Sequence, residues 1–190
     1  MIKRLSVTLA GALLFTGCGD ELETSGPEQE SDVVATVAEG ELKRTTIQAI
    51  DEETWVPVVL GQTVLEATDD AWDLRFRRIA VEMGPGVEAQ TIEGGVEDFN
   101  AFATADAAGE WAGEPEVTGE EPVGRGRPTG PLGGWFDYNP MNHTVSPGER
   151  FYAVRTAEGA CLKLRFEDYY DEAGTAGVVQ FSWAPIEGCR

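Results

Sequence analysis

From Cys161 to Glu167 the chain alternates strictly, with Leu162, Leu164 and Phe166 at one parity and Lys163, Arg165 and Glu167 at the other. Successive side chains of a β-strand point to opposite faces, so this stretch reads as a half-buried strand with its charged residues toward water. Tyr169-Tyr170 and a turn-rich Asp171 to Gly177 follow, and then Val178-Val179-Gln180-Phe181-Ser182-Trp183. Two such runs around a glycine-containing loop predict an antiparallel hairpin. The same texture recurs along the chain, and the fold class it sets is all-β, a single antiparallel domain.

A further strand opens at Ala71. Trp72, Leu74 and Phe76 share a face, whereas Ile79, Val81 and Met83 continue with the opposite parity. One inserted residue restores the face, so a β-bulge is expected at Arg77-Arg78. Phe151-Tyr152-Ala153-Val154 forms another strand, and Glu158-Gly159 turns it into Cys161. Weaker strands are expected near 44–50, 55–60 and 135–138, and the alanine-rich stretch from Asp98 to Ala108 as a short helix. Residues 113–134 are dominated by Gly and Pro, and read as a long loop with nothing to pack, of the kind that is functional or disordered.

The N-terminus carries a separate message. Lys3 and Arg4 precede an apolar run from Leu5 to Phe15, far short of the roughly 20 residues a spanning helix needs. Such a run suits a signal peptide, which takes no part in the fold. It ends in Leu14-Phe15-Thr16-Gly17-Cys18, which resembles the bacterial lipobox, with Phe15 bulkier than usual. Cys18 is then the lipidated N-terminus, and several acyl chains make a durable anchor. An ordinary cleaved signal with an incidental cysteine is the other reading. The acidic residues that follow read as a spacer. The expected organisation is a signal peptide at 1–17, a lipidated Cys18 and disordered acidic linker at 18–40, and the β domain at 41–190.

Acidic residues number 34 against 14 basic, a formal charge of −20. Cleavage removes Lys3 and Arg4 and no acid, which takes the charge to −22. With no basic stripe in the chain, nucleic acid is excluded as a partner. Cys161 and Cys189 are the two cysteines left beyond Cys18. The envelope is oxidising, and the predicted hairpin returns Cys189 toward Cys161, so a disulfide between them is expected. A metal pair lacks the Cys-x-x-Cys spacing.

Catalysis finds little to work with. His143 is the sole imidazole, no Gly-x-Ser-x-Gly elbow accompanies it, and no pair of carboxylates stands out among so many. The chain is therefore expected not to be an enzyme. Asp168, Asp171 and Glu172 offer oxygens for calcium but lack a ligand-spaced loop, and a solvated turn is the simpler reading.

Several segments, in order, resemble the HmuY family of haem-binding envelope lipoproteins. They are Trp72-Asp73-Leu74 with Arg78 after it, Gly133-Gly134-Trp135 with its aromatic strand, the block Arg150 to Gly159, Lys163 to Asp171, and Gly177-Val178-Val179-Gln180-Phe181. The resemblance implies an all-β domain lipid-anchored at the outer membrane, haem as ligand, and an outer-membrane haem transporter as partner. The family holds haem between two side chains, His or Met. Matching through Gly133 to Asn139 puts Pro140 at one ligand position, and 113–132 contains no His, Met or Cys for the other. The donors that remain are His143 and Met141 on a displaced loop, with Met83 as a possible second. The competing reading makes His143 an ordinary turn residue and Met83 the end of a core stripe. The chain is then a non-catalytic envelope binding or structural lipoprotein that has lost haem ligation. In that case Trp111, Trp135, Phe136 and Tyr138 either stack on a glycan or protein partner or pack in the core.

Overall fold

The computed structural model describes residues 33–61, 63–67, 71–106, 109–115 and 130–189. Cys18, the signal peptide and the linker up to residue 32 lie outside the described residues. The strands are β1 (Val34–Glu39), β2 (Leu42–Gln48), β3 (Val56–Leu60), β4 (Val64–Glu66), β5 (Leu74–Arg77), β6 (Ala80–Met83), β7 (Glu88–Glu93), β8 (Phe136–Asn139), β9 (Thr144–Pro147), β10 (Arg150–Arg155), β11 (Cys161–Tyr170) and β12 (Ala176–Pro185). One six-stranded sheet runs β1-β2-β12-β11-β10-β7, a four-stranded sheet runs β4-β3-β5-β6, and β8 and β9 form a hairpin of their own. Every strand pairing is antiparallel. The chain is all-β, as its alternation requires.

The core lies between the two larger sheets. Ile47, Tyr152, Val154, Leu162, Leu164, Phe166, Val179, Phe181 and Trp183 face Val56, Val58, Leu60, Leu74, Phe76, Val81 and Met83. Phe76 stacks on Phe181 with ring centroids 5.9 Å apart and planes 6° from parallel, and Phe166 meets Phe181 edge-on. Each such side chain contributes about 1.5–3 kcal/mol through the apolar surface it removes from water. At one side of the sandwich, Thr36 Oγ1 donates to Val64 O, bridging β1 to β4.

The predicted hairpin is present as β11 and β12, in register through Leu164↔Trp183 and Phe166↔Phe181. The weaker strands appear as β2, β3 and β8. Ordered structure begins earlier than residue 41, because β1 pairs along β2 from Val34↔Ile47 to Glu39↔Leu42. The last part of the expected linker is therefore a strand.

The parity switch after Phe76 is a turn, not a bulge. β5 and β6 pair as Phe76↔Val81 and Leu74↔Met83, and Arg78-Ile79 is the loop between them. Paired residues of an antiparallel hairpin share a face, so reversal over two residues moves the apolar set to the other parity. Arg78 adopts the left-handed φ of 53° that such a turn favours. Its Nη1 donates to Ile50 O and Ala176 O, both at 3.1 Å, which ties the turn to the larger sheet. Gly177 sits beside it at φ 93°, and a Cβ there would lie 3.1 Å from Ala49 O.

The outer face of the six-stranded sheet is also covered in part, which overturns the expectation that Lys163 faces water. The helix α1 (Val96–Ala101) is shorter than the expected 98–108 and starts earlier. Lys163 lies beneath it, with Nζ donating to Phe99 O at 2.8 Å and Asn100 O at 3.0 Å. Burial pulls the lysine below its usual range. Phe99 and Phe102 pack edge-on against Phe151. The C-terminal residues fold back here, with Ala105 N–H donating to Glu187 O and Glu187 N–H to Ala103 O. Cys161 and Cys189 form the expected disulfide, with Cα atoms 5.7 Å apart.

The disulfide closes a loop between residues 28 apart in sequence. Cys189→Ser is expected to lower unfolding free energy by about 2–4 kcal/mol, read by urea denaturation, with the far-UV circular dichroism of the folded state unchanged.

Candidate functional site

The β8–β9 hairpin stands apart from both sheets, and its root is pinned at several points. Leu132 and Trp135 are fully buried, so the stretch expected to pack nothing ends in a core plug: a 3-10 turn at Pro131–Gly134. Trp135 stacks on Phe166 at 4.5 Å between centroids, and its Nε1 donates to Ile79 O at 2.9 Å. Arg150 Nη1 donates to Gly134 O at 2.8 Å. On the second strand, Val145 N–H donates to Tyr170 Oη at 3.1 Å. Glu114 accepts from the N–H groups of Met83 and Gly130, each at 3.2 Å, and so fixes the approach to the 3-10 turn against β6.

Beyond this root the hairpin is largely exposed. Strand register runs to Asn139↔Thr144, leaving Pro140 to His143 as the turn. Asn139 Oδ1 accepts from Met141 N–H at 2.9 Å. Asn142 Oδ1 accepts from the Thr144 hydroxyl at 2.8 Å. These are the roles in which Asn is favoured at turns. His143 has a left-handed φ of 58°, a conformation that costs a non-glycine residue roughly 1–2 kcal/mol. Its Nδ1 lies 2.5 Å from Tyr138 Oη, across the hairpin. Met141 is 90% exposed.

The structure brings His143 and Met141 together on one turn and adds Tyr138 to them. Met83 stands elsewhere. It is 2% exposed, and its Cε lies where a Cβ on Gly130 would go, near the root. Four residues of β8 at about 3.3 Å each separate root from tip. Met83 therefore ends the core stripe of β6. Of the flanking aromatics, Trp135 is core, Phe136 packs edge-on against it, and Trp111 is covered by the Arg155 guanidinium at 4.5 Å. Tyr138 alone of the four is more than half exposed. Asp168 and Asp171 spend carboxylate oxygens on backbone N–H groups of Tyr169, Tyr170, Ala173 and Thr175, as turn residues do. No cluster of metal-holding side chains occurs among the described residues.

Haem iron takes an axial imidazole or thioether, and the hairpin tip fits that need once. His143 Nε2 has no protein partner among the described residues, and Met141 offers its sulfur beside it. A clamp of two donors across one iron does not fit: Met83 is buried at the root, and Cys161 and Cys189 are bonded to each other.

The architecture defines a class, a β-sandwich domain with a projecting hairpin. The family model described as HmuY protein matches residues 38–183, and the chain belongs to the HmuY family. Among solved structures, a protein of Bacteroides fragilis described as a lipoprotein superposes with a TM-score of 0.61 at 16% identity, covering 78% of this chain and 91% of that one. An HmuY-like haem-binding protein of Bacteroides vulgatus gives 0.58 at 18%, over 75% and 91%. The apo HmuY analogue of Tannerella forsythia gives 0.56 at 18%, over 80% and 97%. At these identities the likeness is one of fold. No curated protein matches the chain in sequence.

The sequence reading missed Tyr138 as the partner of His143, and Arg150 and Tyr170 as the pins of the root. Arg150→Ala and Tyr170→Phe each remove a hydrogen bond worth about 1 kcal/mol. Hydrogen exchange across residues 136–147 is expected to quicken in both variants, while amides of β11 and β12 keep their protection.

Proposed function

We propose that this chain is a non-catalytic haem- or porphyrin-binding lipoprotein, anchored at the outer membrane through Cys18, which holds its ligand on the β8–β9 hairpin for transfer to an outer-membrane transporter. One observation carries the reading: an imidazole whose Nε2 has no partner among the described residues is presented at the tip of an arm whose root is pinned to the core. Membership of the HmuY family supports it, as does the fold shared with a protein described as haem-binding. His143 is the axial donor in this reading. The Met141 thioether, a softer donor, suits reduced iron better than oxidised iron. A haem site supplies redox-active iron and a planar apolar surface.

A second reading has an observation of its own. Matching through Gly133 to Asn139, the resemblance puts Pro140 at one family ligand position, and no donor stands opposite the tip among the described residues. On that reading the scaffold is an envelope binding or structural lipoprotein whose partner is a glycan or a protein.

Titration of the mature chain with haemin, oxidised and dithionite-reduced, separates the two. The expected outcome is a Soret shift that His143→Ala weakens at least tenfold in affinity, about 1.4 kcal/mol, in the oxidised state, with Met141→Ala acting mainly on the reduced one. Absence of a shift, or a shift indifferent to the double substitution, removes the haem reading. A glycan array and an envelope pull-down then decide the partner class.

A further inference from the structure

We infer that Tyr138 is the positioning residue for His143: its phenol oxygen accepts a hydrogen bond from Nδ1–H and so holds the ring with Nε2 toward iron. The inference rests on the haem reading and extends it to a side chain that sequence reading treated as a generic aromatic.

The geometry comes first. Tyr138 Oη and His143 Nδ1 are 2.5 Å apart, and the two rings lie 6.1 Å apart at a tilt of 45°. Both residues are exposed. A hydrogen bond between exposed groups exchanges one partner for water and adds little to stability. The φ of 58° at His143 belongs to the last position of the hairpin turn, and it sets the direction in which the ring leaves the backbone. Unfavourable backbone conformations persist where the surroundings over-determine them, and the two Asn-capped bonds of this turn supply that over-determination. The acceptor is fixed as well, because Tyr138 is in register with Val145, whose N–H is tied to Tyr170.

The chemistry follows from the single proton of a neutral imidazole. For Nε2 to give its lone pair to a metal, that proton must sit on Nδ1; a phenol can accept a hydrogen bond from Nδ1–H or donate its own to the other tautomer, and a metal at Nε2 draws the pair into the first arrangement. Metal-ligating histidines commonly have such a partner, and the partner also raises the basicity of the ligand. In the metal-binding state Nδ1–H donates to Tyr138 Oη, and the phenol hydrogen turns away toward solvent. A phenol oxygen is a weaker acceptor than a carboxylate. Donation to the iron is therefore expected to strengthen from Phe through Tyr to Glu at position 138, and the midpoint potential to fall in that order.

The test compares the wild-type mature chain with Tyr138→Phe, Tyr138→Glu and His143→Ala, using haemin as the probe. His143 is the only histidine, so its ring nitrogens give a single, assignable set of NMR signals without any ligand. Tyr138→Phe is expected to change the tautomer populations in the ligand-free chain, weaken haemin binding about 10–100-fold and raise the midpoint potential. Tyr138→Glu is expected to restore affinity and bring the midpoint below that of the wild type. In a His143→Ala background the Tyr and Phe chains are expected to behave alike. If the wild type binds haemin and Tyr138→Phe leaves nitrogen shifts, affinity and midpoint unchanged, the positioning role is overturned and the haem reading stands. No Soret shift in the wild type overturns both.

Discussion

Phe76 and Phe181 lie nearly parallel across the gap between the two sheets, and that contact organises much of what surrounds it. Phe181 belongs to β12, which is paired on both sides and sits inside the six-stranded sheet. Phe76 belongs to β5, likewise flanked on both sides in the smaller sheet. A core packed at crystal-like density leaves no room for either sheet to slide. Trp135 is inserted against Phe166, and Phe166 in turn touches Phe181. The root of the projecting hairpin is thus one aromatic ring away from the centre of the sandwich.

This continuity gives the hairpin its character. A two-stranded ribbon alone is marginal in water, and β8–β9 has most of its residues exposed. Its order is borrowed from the core through Trp135, from β10 through Arg150 and from β11 through Tyr170. The arm ends in an exposed imidazole and thioether. It suits a buried, two-donor clamp poorly, and the burial of Met83 is the structural reason. The chain keeps the family's fold, and fold by itself does not fix the chemistry at the end of one hairpin.

The departures from the sequence reading have physical causes. Alternation counts parity along one strand and cannot tell a bulge from a tight turn, since both exchange the two faces; β5 and β6 resolve that only by pairing. It also assumes that the charged parity of β11 meets water. Lys163 breaks that rule because α1 arrives from residues far away in sequence and offers its last carbonyls to the ammonium. Gly and Pro between 113 and 134 hide Leu132, whose burial depends on where β6 stands. Tyr138 and His143 meet because the turn carries His143 back toward the strand it leaves, a relation that no helix or strand period encodes.

The amino-acid sequence by itself determined the all-β class, the β11–β12 hairpin and the family, because period-two alternation and ordered motifs are local properties of the chain; the pairing of Cys161 with Cys189 was an expectation that the fold met. The sequence also left His143, Met141 and Met83 as candidate donors, by the scarcity of such residues. Where each of them stands only tertiary structure decided. Met83 went to the core, where its apolar side chain fills space beside Gly130. His143 was held at an exposed tip, with Nδ1 engaged by Tyr138. Burial and hydrogen bonding at these sites are set by strands that meet only when the two sheets close on each other.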